Sequence, residues 1–458
     1  MTNEFLEPVY NEKKELCWLT IKYIQKTIGK PKSIKKTITE NKQVAEIPVF
    51  EFKSQGLWLC PKCGNLIHSV PDAPIYCYKE QGGCGKQTIF KPYTKIINPD
   101  FWKIPIWNDI PDTTGIYQEL YDVVKKCVIF VEDIQYKIYS LSIINSYFMD
   151  QWETIGYLAF IGLIESGKSR ALDIISETGW RMINAGSGIS FPAMVRGTHL
   201  YGAGILIDEA HDKLTSSKKQ GYSEKCQEMI DFIKPGYRKG SHYIIADKED
   251  PDKIISYNNF GFKAFAGERE FDRATMSRCI DFQMEQDYPE IQNLKEIRNK
   301  FEIIQTKLLN LKYKRNTPIP EIPQDIGING RNFEIFSPII RTAMYLGIEY
   351  KDVVEYAKQR KEEEIESFRN SEEYEVLKAI KGGEENEKLF DAPEKISYSE
   401  IISRMGWEYD KDTGQRIGYI LNRKLQLKTK RENTGTVLLL NDPKNDRKLK
   451  YLYRRYKV

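Results

Sequence analysis

Residues 162–169 read G-L-I-E-S-G-K-S, placing two glycines, a lysine and a serine at the spacing G-x-x-x-x-G-K-S. That set suits a polyphosphate. Gly162 and Gly167 let backbone N–H groups turn toward phosphate oxygens, Lys168 brings a cation to the β and γ phosphates, and the Ser169 hydroxyl is a ligand for Mg2+. A helix following the loop points its positive N-terminal end at the same anions. Further on, G-I-L-I-D-E-A-H (204–211) ends an apolar run on Asp208 and Glu209. A buried strand there delivers two carboxylates to its C-terminal edge, where open parallel sheets bind ligands. Asp208 is expected in the Mg2+ shell and Glu209 beside an attacking water, because phosphoryl transfer rests on positioning and charge stabilisation.

A third stretch, R-A-T-M-S-R-C-I-D-F-Q-M (273–284), carries Arg278 just before a β-like run. An arginine at such a place can act in trans on the γ-phosphate held by a neighbouring subunit, or lie in a surface salt bridge; Arg273 is a second candidate. The elements that must position these groups are readable from periodicity. T-I-G-Y-L-A-F-I-G-L is a buried strand, S-R-A-L-D-I-I-S-E-T-G a helix, W-R-M-I-N a short strand, and the run before Asp208 a second apolar strand. Strands alternating with helices predict a parallel α/β sheet.

Taken together, G-L-I-E-S-G-K-S, I-L-I-D-E-A and M-S-R-C-I-D resemble an AAA+ ATPase, the last being similar to the arginine-finger segments of clamp loaders and minichromosome maintenance helicases. P-G-Y-R-K-G-S (235–241) and the stretch 327–347 resemble helicase-like AAA+ proteins of phages, plasmids and integrated mobile elements. The resemblance spans roughly residues 150–350. It implies ATP as substrate, Mg2+ as cofactor, and Arg331 as a sensor-2 arginine reaching the bound nucleotide. The alternative for Arg331 is a helix-N-terminal arginine paired with Glu334. One departure stands out: such proteins place a polar sensor, often Asn, at the end of the strand after the Asp-Glu strand, and here Ala266, Gly267 and Glu268 occupy that place. Asn258 and Asn259 come earlier. G-Y-R-K-G-S-H-Y-I-I-A-D-K (236–248) is a candidate basic hairpin, with Arg238, Lys239, His242 and Lys248 near its turn or arms, gripping a nucleic-acid strand or simply solvated.

The chain has eight cysteines, and four of them form a separate constellation. Cys60-x-x-Cys63 and Cys77-x6-Cys84 bracket 13 residues. Four thiolates suit a closed tetrahedral Zn2+ site with S–Zn distances of about 2.3 Å, a structural rather than catalytic metal. An iron site or two disulfides remain alternatives, and His68 lies between the pairs. Cys17, Cys127, Cys226 and Cys279 stand singly, which favours a reducing, cytoplasmic compartment.

At the C-terminus, I-S-Y-S-E-I-I-S-R-M-G-W and D-T-G-Q-R-I-G-Y-I-L-N-R-K-L-Q-L read as helices, followed by two strands joined at Asn433–Thr434–Gly435. This order resembles a winged helix. Gln415, Arg416, Asn422, Arg423 and Lys424 lie on its second helix, and Lys428, Lys430 and Arg431 on its wing; these residue types contact phosphates and base edges. Residues 442–458 hold seven basic and two acidic residues with three tyrosines, so phosphate contacts there would be salt-dependent. Winged helices also serve as protein-interaction modules, and that alternative stays open.

At 458 residues, 41% hydrophobic and 12% aromatic, the chain is long enough for several cored domains, and a net charge of +4 excludes a general polycation. No apolar run approaches the roughly 18–20 residues needed to span a bilayer, and the N-terminus lacks a signal-peptide pattern. The expected organisation is an N-terminal helical segment (1–45), a zinc ribbon (46–98), a helical linker (99–150), an AAA+ α/β core (151–310), a helical lid (311–370) and a winged helix (371–458). The expected function is an ATP-driven, hexameric DNA helicase or translocase in replication of a mobile element or virus, with DNA, further copies of itself and other replication proteins as candidate partners. An initiator or loader that remodels origin DNA, and a nucleotide-switched DNA-binding regulator, are the alternatives.

Overall fold

The structure is a computed structural model describing residues 4–10, 16–27, 44–53, 57–59, 66–68, 76–77, 85–87, 91–92, 115–214, 224–247, 252, 254–313, 318–382, 394–433 and 435–458. It divides into two compact units, residues 1–354 and 355–458. Among the described residues no helix is long and apolar enough to cross a membrane.

The first unit begins with three antiparallel strands in sequential order, β1 (Glu4–Tyr10), β2 (Leu16–Thr27) and β3 (Val44–Lys53). This corrects the expected N-terminal helix. Leu19, Ile21 and Tyr23 alternate with Thr20, Lys22 and Ile24, and so many β-branched and aromatic residues favour a pleated strand over a helix. Five short strands follow: β4 (Leu57–Leu59), β5 (Leu66–His68), β6 (Tyr76–Cys77), β7 (Lys86–Gln87) and β8 (Lys91–Pro92). β4 pairs with β5 and β8, and β6 with β7, all antiparallel.

Helices α1 (Ile116–Cys127) and α2 (Asp133–Ser146) fall where a linker is expected, but α2 is part of the core. It carries apolar groups all round, so it must be covered on every side. Tyr139 Oη donates to Ala171 O at 2.6 Å and Tyr147 Oη to Thr178 O at 2.8 Å. Phe130 lies 5.2 Å from the Tyr139 ring and 5.1 Å from that of Phe282.

The central sheet is built from β9 (Tyr157–Gly162), β10 (Met182–Asn184), β11 (Gly204–Ile207), β14 (Lys263–Gly267) and β15 (Cys279–Met284). Their spatial order is β10-β11-β14-β9-β15, and every pairing is parallel. Between them run α3 (Lys168–Thr178), α4 (Phe191–Tyr201), α5 (His211–Leu214), α6 (Glu224–Ile233), an antiparallel hairpin of β12 (His242–Ala246) with β13 (Ile254–Asn258), and α7 (Arg273–Met276). The chain leaves β9 for the far edge, returns strand by strand to β14, then crosses to the other side of β9. The loop after β9 therefore sits at a topological switch point. Leu158, Ala159, Phe160, Ile205, Leu206, Ala264 and Phe265 are fully buried, as strands covered on both faces require. Helices α8 (Arg298–Tyr313) and α9 (Gly330–Tyr345) follow, and α10 (Lys351–Arg369) contains the division between the units, which the sequence places at 371. Lys137 on α2 holds Asp352 at 2.7 Å.

The second unit comprises α11 (Glu372–Lys381), β16 (Lys395–Ser397), α12 (Tyr398–Arg404), α13 (Lys411–Tyr419) continued by a π-turn over Ile420–Lys424, β17 (Thr429–Glu432), β18 (Gly435–Leu439) and α14 (Pro443–Tyr456). β18 lies between β16 and β17. Leu377, Ile401, Ile402, Ile417, Leu421, Leu438 and Leu452 form one apolar core.

Lys263, the first residue of β14, is fully buried in the first unit. Its Nζ donates to Asn259 O at 2.9 Å and Gly261 O at 3.2 Å, and lies 5.0 Å from the Tyr157 ring centre. Burial still dominates and pushes its pKa down to about 7. Between that value and the ordinary lysine range the unfolded chain binds the extra proton, so this group makes stability rise as pH rises from about 7 toward 10. In Lys263→Met that contribution disappears, and Tm measured across this range should rise less steeply than in the unsubstituted chain. Identical slopes would refute the burial argument.

Candidate nucleotide site

The loop at 162–169 joins β9 to α3, as its spacing predicts. Gly162 admits no side chain: a Cβ there would lie 2.3 Å from Met284 O and 2.6 Å from Ser166 Oγ. Gly167 has φ of 86°, a left-handed conformation natural to glycine, while Glu165 adopts φ of 63° without that excuse. A left-handed non-glycine residue carries strain of the kind held at binding sites. Ser166 is buried, whereas Leu163 and Ile164 on the loop's crest are 78% and 72% exposed. Gln286 Nε2 reaches Glu165 Oε2 at 3.3 Å, tying the loop to the segment after β15.

Lys168 opens α3. Its Nζ donates to Leu163 O and to Ser166 Oγ, the latter at 3.4 Å, so the ammonium curls back over its own loop. Partial burial draws its pKa down, and the nearby Glu268 and Asp208 carboxylates oppose that shift. Ser169 is exposed in the first turn of α3. The backbone groups, the ammonium and the hydroxyl thus face one solvent-open edge of the sheet.

Asp208 and Glu209 follow β11 directly. The Asp208 Oδ1 accepts from Glu209 N at 2.9 Å, and Asp208 N donates to Gly186 O at 3.1 Å. Glu209 is exposed with φ of 50°, a second strained non-glycine residue at the same edge. Ala210 N donates to Ala266 O at 2.8 Å, so this turn is fastened to β14. Since β14 separates β9 from β11, its end lies between the loop and the acidic pair. Gly267 stands there, and Glu268 follows it as an exposed carboxylate beside Lys168. Glu268 thus stands just past the end of β14, the place where a polar sensor is expected. Asn258 and Asn259 lie at the other end of β14; Asn259 is buried, donating from Nδ2 to Phe232 O at 3.1 Å. Asp173 of α3 and Asn184 of β10 also adjoin the acidic pair: Asn184 Nδ2 donates to Asp173 Oδ1 at 3.0 Å, and burial raises the Asp173 pKa.

The arginines gather at the opposite end of the sheet. Tyr157 N, at the start of β9, donates to Arg278 O at 2.9 Å, and Ile155 N to Tyr237 O at 2.8 Å. Around the Tyr237 ring stand three guanidiniums: Arg331 at 4.5 Å, Arg278 at 5.2 Å and Arg238 at 5.2 Å. The Glu334 carboxylate serves two of them and the tyrosine. It accepts from Tyr237 Oη at 3.2 Å, pairs with Arg238, and lies 3.7 Å from Arg331 Nε. Arg278 Nε and an Arg331 terminal nitrogen are buried with no hydrogen-bond partner among the described residues. Burial and the like charge of Arg331 lower the Arg278 pKa.

This placement sets Arg331 at the end of the sheet away from its own loop. The six residues of β9 separate the two ends, a span of about 16–20 Å at the usual strand rise. Arg331 instead makes the ion pair with Glu334 that its alternative reading requires. Arg238 is likewise not at a hairpin turn: the turn 235–241 precedes the hairpin, and Arg238 bridges to Thr154. Arg273 sits on α7, capped by Asp272, whose carboxylate accepts from Ala274 N at 2.9 Å.

In the second unit, Arg416 of α13 pairs with Glu372 and lies 5.1 Å from the Trp407 ring, and Lys424 pairs with Glu373 at 3.2 Å. Asn422 bonds to Tyr398, Gly418 and Thr429. Gln415 and Arg423 are exposed. Cys60, Cys63 and Cys84, the expected zinc ligands, lie outside the described residues, as does the side chain of Cys77 on β6. The flanking pairings are Leu59↔Leu66, which spans the Cys60–Cys63 segment, and Cys77↔Lys86. Among the described residues no cluster is placed to hold a metal.

No family model and no curated protein matches the chain. Solved structures similar to it include the C-terminal region of NrS-1 in its apo A form, at 11% identity over 95% of this chain and 96% of that one, with a TM-score of 0.30. Drosophila ORC bound to DNA matches at 12% identity over 76% and 93% of the two chains, TM-score 0.20. The Aeropyrum pernix ORC1 protein in complex with DNA matches at 12% over 73% and 96%, TM-score 0.22. At these scores none of the three establishes a shared fold.

The arginine cluster yields a measurable consequence. Glu334→Gln removes the charge that offsets Arg238 and Arg331, and should cost about 1–2 kcal/mol in urea denaturation with an unchanged m-value. Tyr237→Phe, which loses only one hydroxyl, should cost less. Wild-type stability in Glu334→Gln would show that Glu334 does not hold the cluster.

Proposed function

We propose that the chain is an AAA+-type ATPase that works as a homo-oligomeric ring, a hexamer, driving movement along or unwinding of DNA in replication. The observation that carries this reading is the separation of the phosphate-type loop from the arginine cluster across one parallel sheet. A chain holding ATP at 162–169 has no arginine of its own at that edge among Arg238, Arg278 and Arg331, while it presents three at the other. Head-to-tail stacking of copies joins the two edges, and such heterologous contacts close into rings.

In this reading the loop N–H groups and Lys168 hold the β and γ phosphates. Ser169 and Asp208 offer the hard oxygen donors Mg2+ prefers, and the ion would neutralise phosphate charge when bound. The fit is supported by the loop itself, since the space a Gly162 Cβ would fill is already taken and the backbone is strained at Glu165 and Glu209. Glu209 orients and polarises the attacking water. Glu268, between the two motifs, is positioned to sense the γ-phosphate in place of the usual polar sensor. Arg278 from the adjoining copy stabilises charge on the transferred phosphoryl group, and Arg331 joins it from the same copy. The second unit is a winged helix that contacts DNA. Cys60, Cys63, Cys77 and Cys84 hold a structural Zn2+, a proposal supported by strand pairings that flank both cysteine pairs.

Complementation tests the core of this proposal. Lys168→Ala and Arg278→Ala chains should each lose at least about 100-fold in DNA-stimulated ATP hydrolysis. Co-expressed in equal amounts, they should recover roughly a quarter of the wild-type sites, those with an intact loop facing an intact arginine. No recovery from mixed oligomers would overturn action in trans. Glu209→Gln should bind ATP yet turn over at least about 100-fold more slowly. Strand displacement on a forked substrate then separates unwinding from remodelling. Metal analysis should find about one Zn2+ per chain; a zinc-free folded protein would end that assignment.

A further inference from the structure

The DNA-contacting face of the second unit need not be its second helix. Two of the four cations of α13 and its π-turn are spent within the domain, Arg416 on Glu372 and Lys424 on Glu373, and Asn422 is hydrogen-bonded to three neighbours. α14 is the reverse case. Its apolar residues Leu449, Leu452 and Tyr456 are buried in the core, and the opposite side carries Arg447, Tyr451 and Arg454 at i, i+4 and i+7. Arg447 and Arg454 are exposed and have no ion-pair partner among the described residues, and the Tyr451 ring between them is 50% exposed. Two guanidiniums about 10 Å apart along one helix face, with an aromatic ring between, match a phosphate backbone with a base or sugar to stack.

The wing adjoins the start of α14. Asn445, in the first turn of α14, is 2% exposed and uses its whole amide. Its Oδ1 accepts from Lys428 N, and its Nδ2 donates to Lys428 O and Leu439 O, each at 2.8 Å. α14 is thereby stapled to the base of β17, whose exposed Lys430 and Arg431 carry further charge without an ion-pair partner among the described residues. A membrane surface fits poorly, because a helix that lies in lipid needs its apolar face free, and that face of α14 is inside the domain.

We infer that the second unit grips nucleic acid through α14 and the wing, with Arg447 and Arg454 on backbone phosphates and Tyr451 stacked between them, rather than through α13. The inference rests on the reading that this chain works on DNA. It is tested on the full chain by fluorescence anisotropy with labelled single-stranded and duplex oligonucleotides over a range of salt. Arg447→Ser/Arg454→Ser should weaken binding at least about tenfold and lower the salt slope by roughly 1.4–1.8, two phosphate contacts' worth. Gln415→Ala/Arg423→Ala should change affinity less than about threefold. ATP hydrolysis without DNA should be unchanged in both, which shows that the variants fold. The opposite ranking of the two variants would overturn the inference and leave the DNA reading intact. A wild-type chain that binds neither oligonucleotide would overturn both. Loss of binding to phosphatidylserine vesicles in the α14 variant, with DNA binding untouched, would also overturn it in favour of a lipid surface.

Discussion

A parallel sheet has two chemically unlike ends, and this protein is organised by that fact. All five central strands start at one edge and finish at the other. β9, hydrogen-bonded on both sides, fixes what each edge holds. Its C-terminal end releases the glycine loop into the N-terminus of α3, and the neighbouring β14 and β11 release Glu268, Asp208 and Glu209 beside it. Its N-terminal end is hydrogen-bonded to Arg278, next to the turn that carries Tyr237. No side chain is long enough to join one edge to the other, so the loop and the arginine cluster stay apart within one chain.

The two edges are electrostatic opposites. Near the loop, one lysine stands among Glu268, Asp208 and the adjacent Glu209, an arrangement in which a polyphosphate with its cation would complete the charge. At the far edge, three guanidiniums share one tyrosine ring, two of them share the Glu334 carboxylate, and two of their buried nitrogens find no acceptor among the described residues. Such a cluster is costly to hold together by itself, because like charges repel and unmet donors are desolvated. An incoming anion relieves both costs. Glu334 reaches Tyr237, Arg238 and Arg331 from α9, so the helical segment and the turn before the β12–β13 hairpin are joined at this point.

Much of the chemistry at the loop was legible in the sequence because it is local. G-L-I-E-S-G-K-S, the apolar run before Asp208 and the helix after Lys168 each follow from residue types within one turn or one strand, and all appear at the expected place. The first strands were not legible: a segment such as 16–27 supports both a helical and a strand periodicity, and pairing with β1 and β3 chooses the strand. The helices at 116–146 read as a linker because nothing in their own sequence says that Phe160 and Phe282 will cover them. The charged residues of α13 looked free for the same reason, since Glu372 and Glu373 lie some forty residues or more away in sequence.

By itself the sequence determined the glycine loop between strand and helix and the strand that carries the carboxylates, since these depend on contiguous residues and on backbone geometry that glycine and β-branched types impose. Only the tertiary structure decided which strand lies between the loop and the acidic pair, and so which carboxylate stands beside Lys168. It also set Arg331 beside Tyr237 and Glu334. Strand order and the distance between the sheet's two edges are sums over many weak, non-local contacts, and no window of residues contains them.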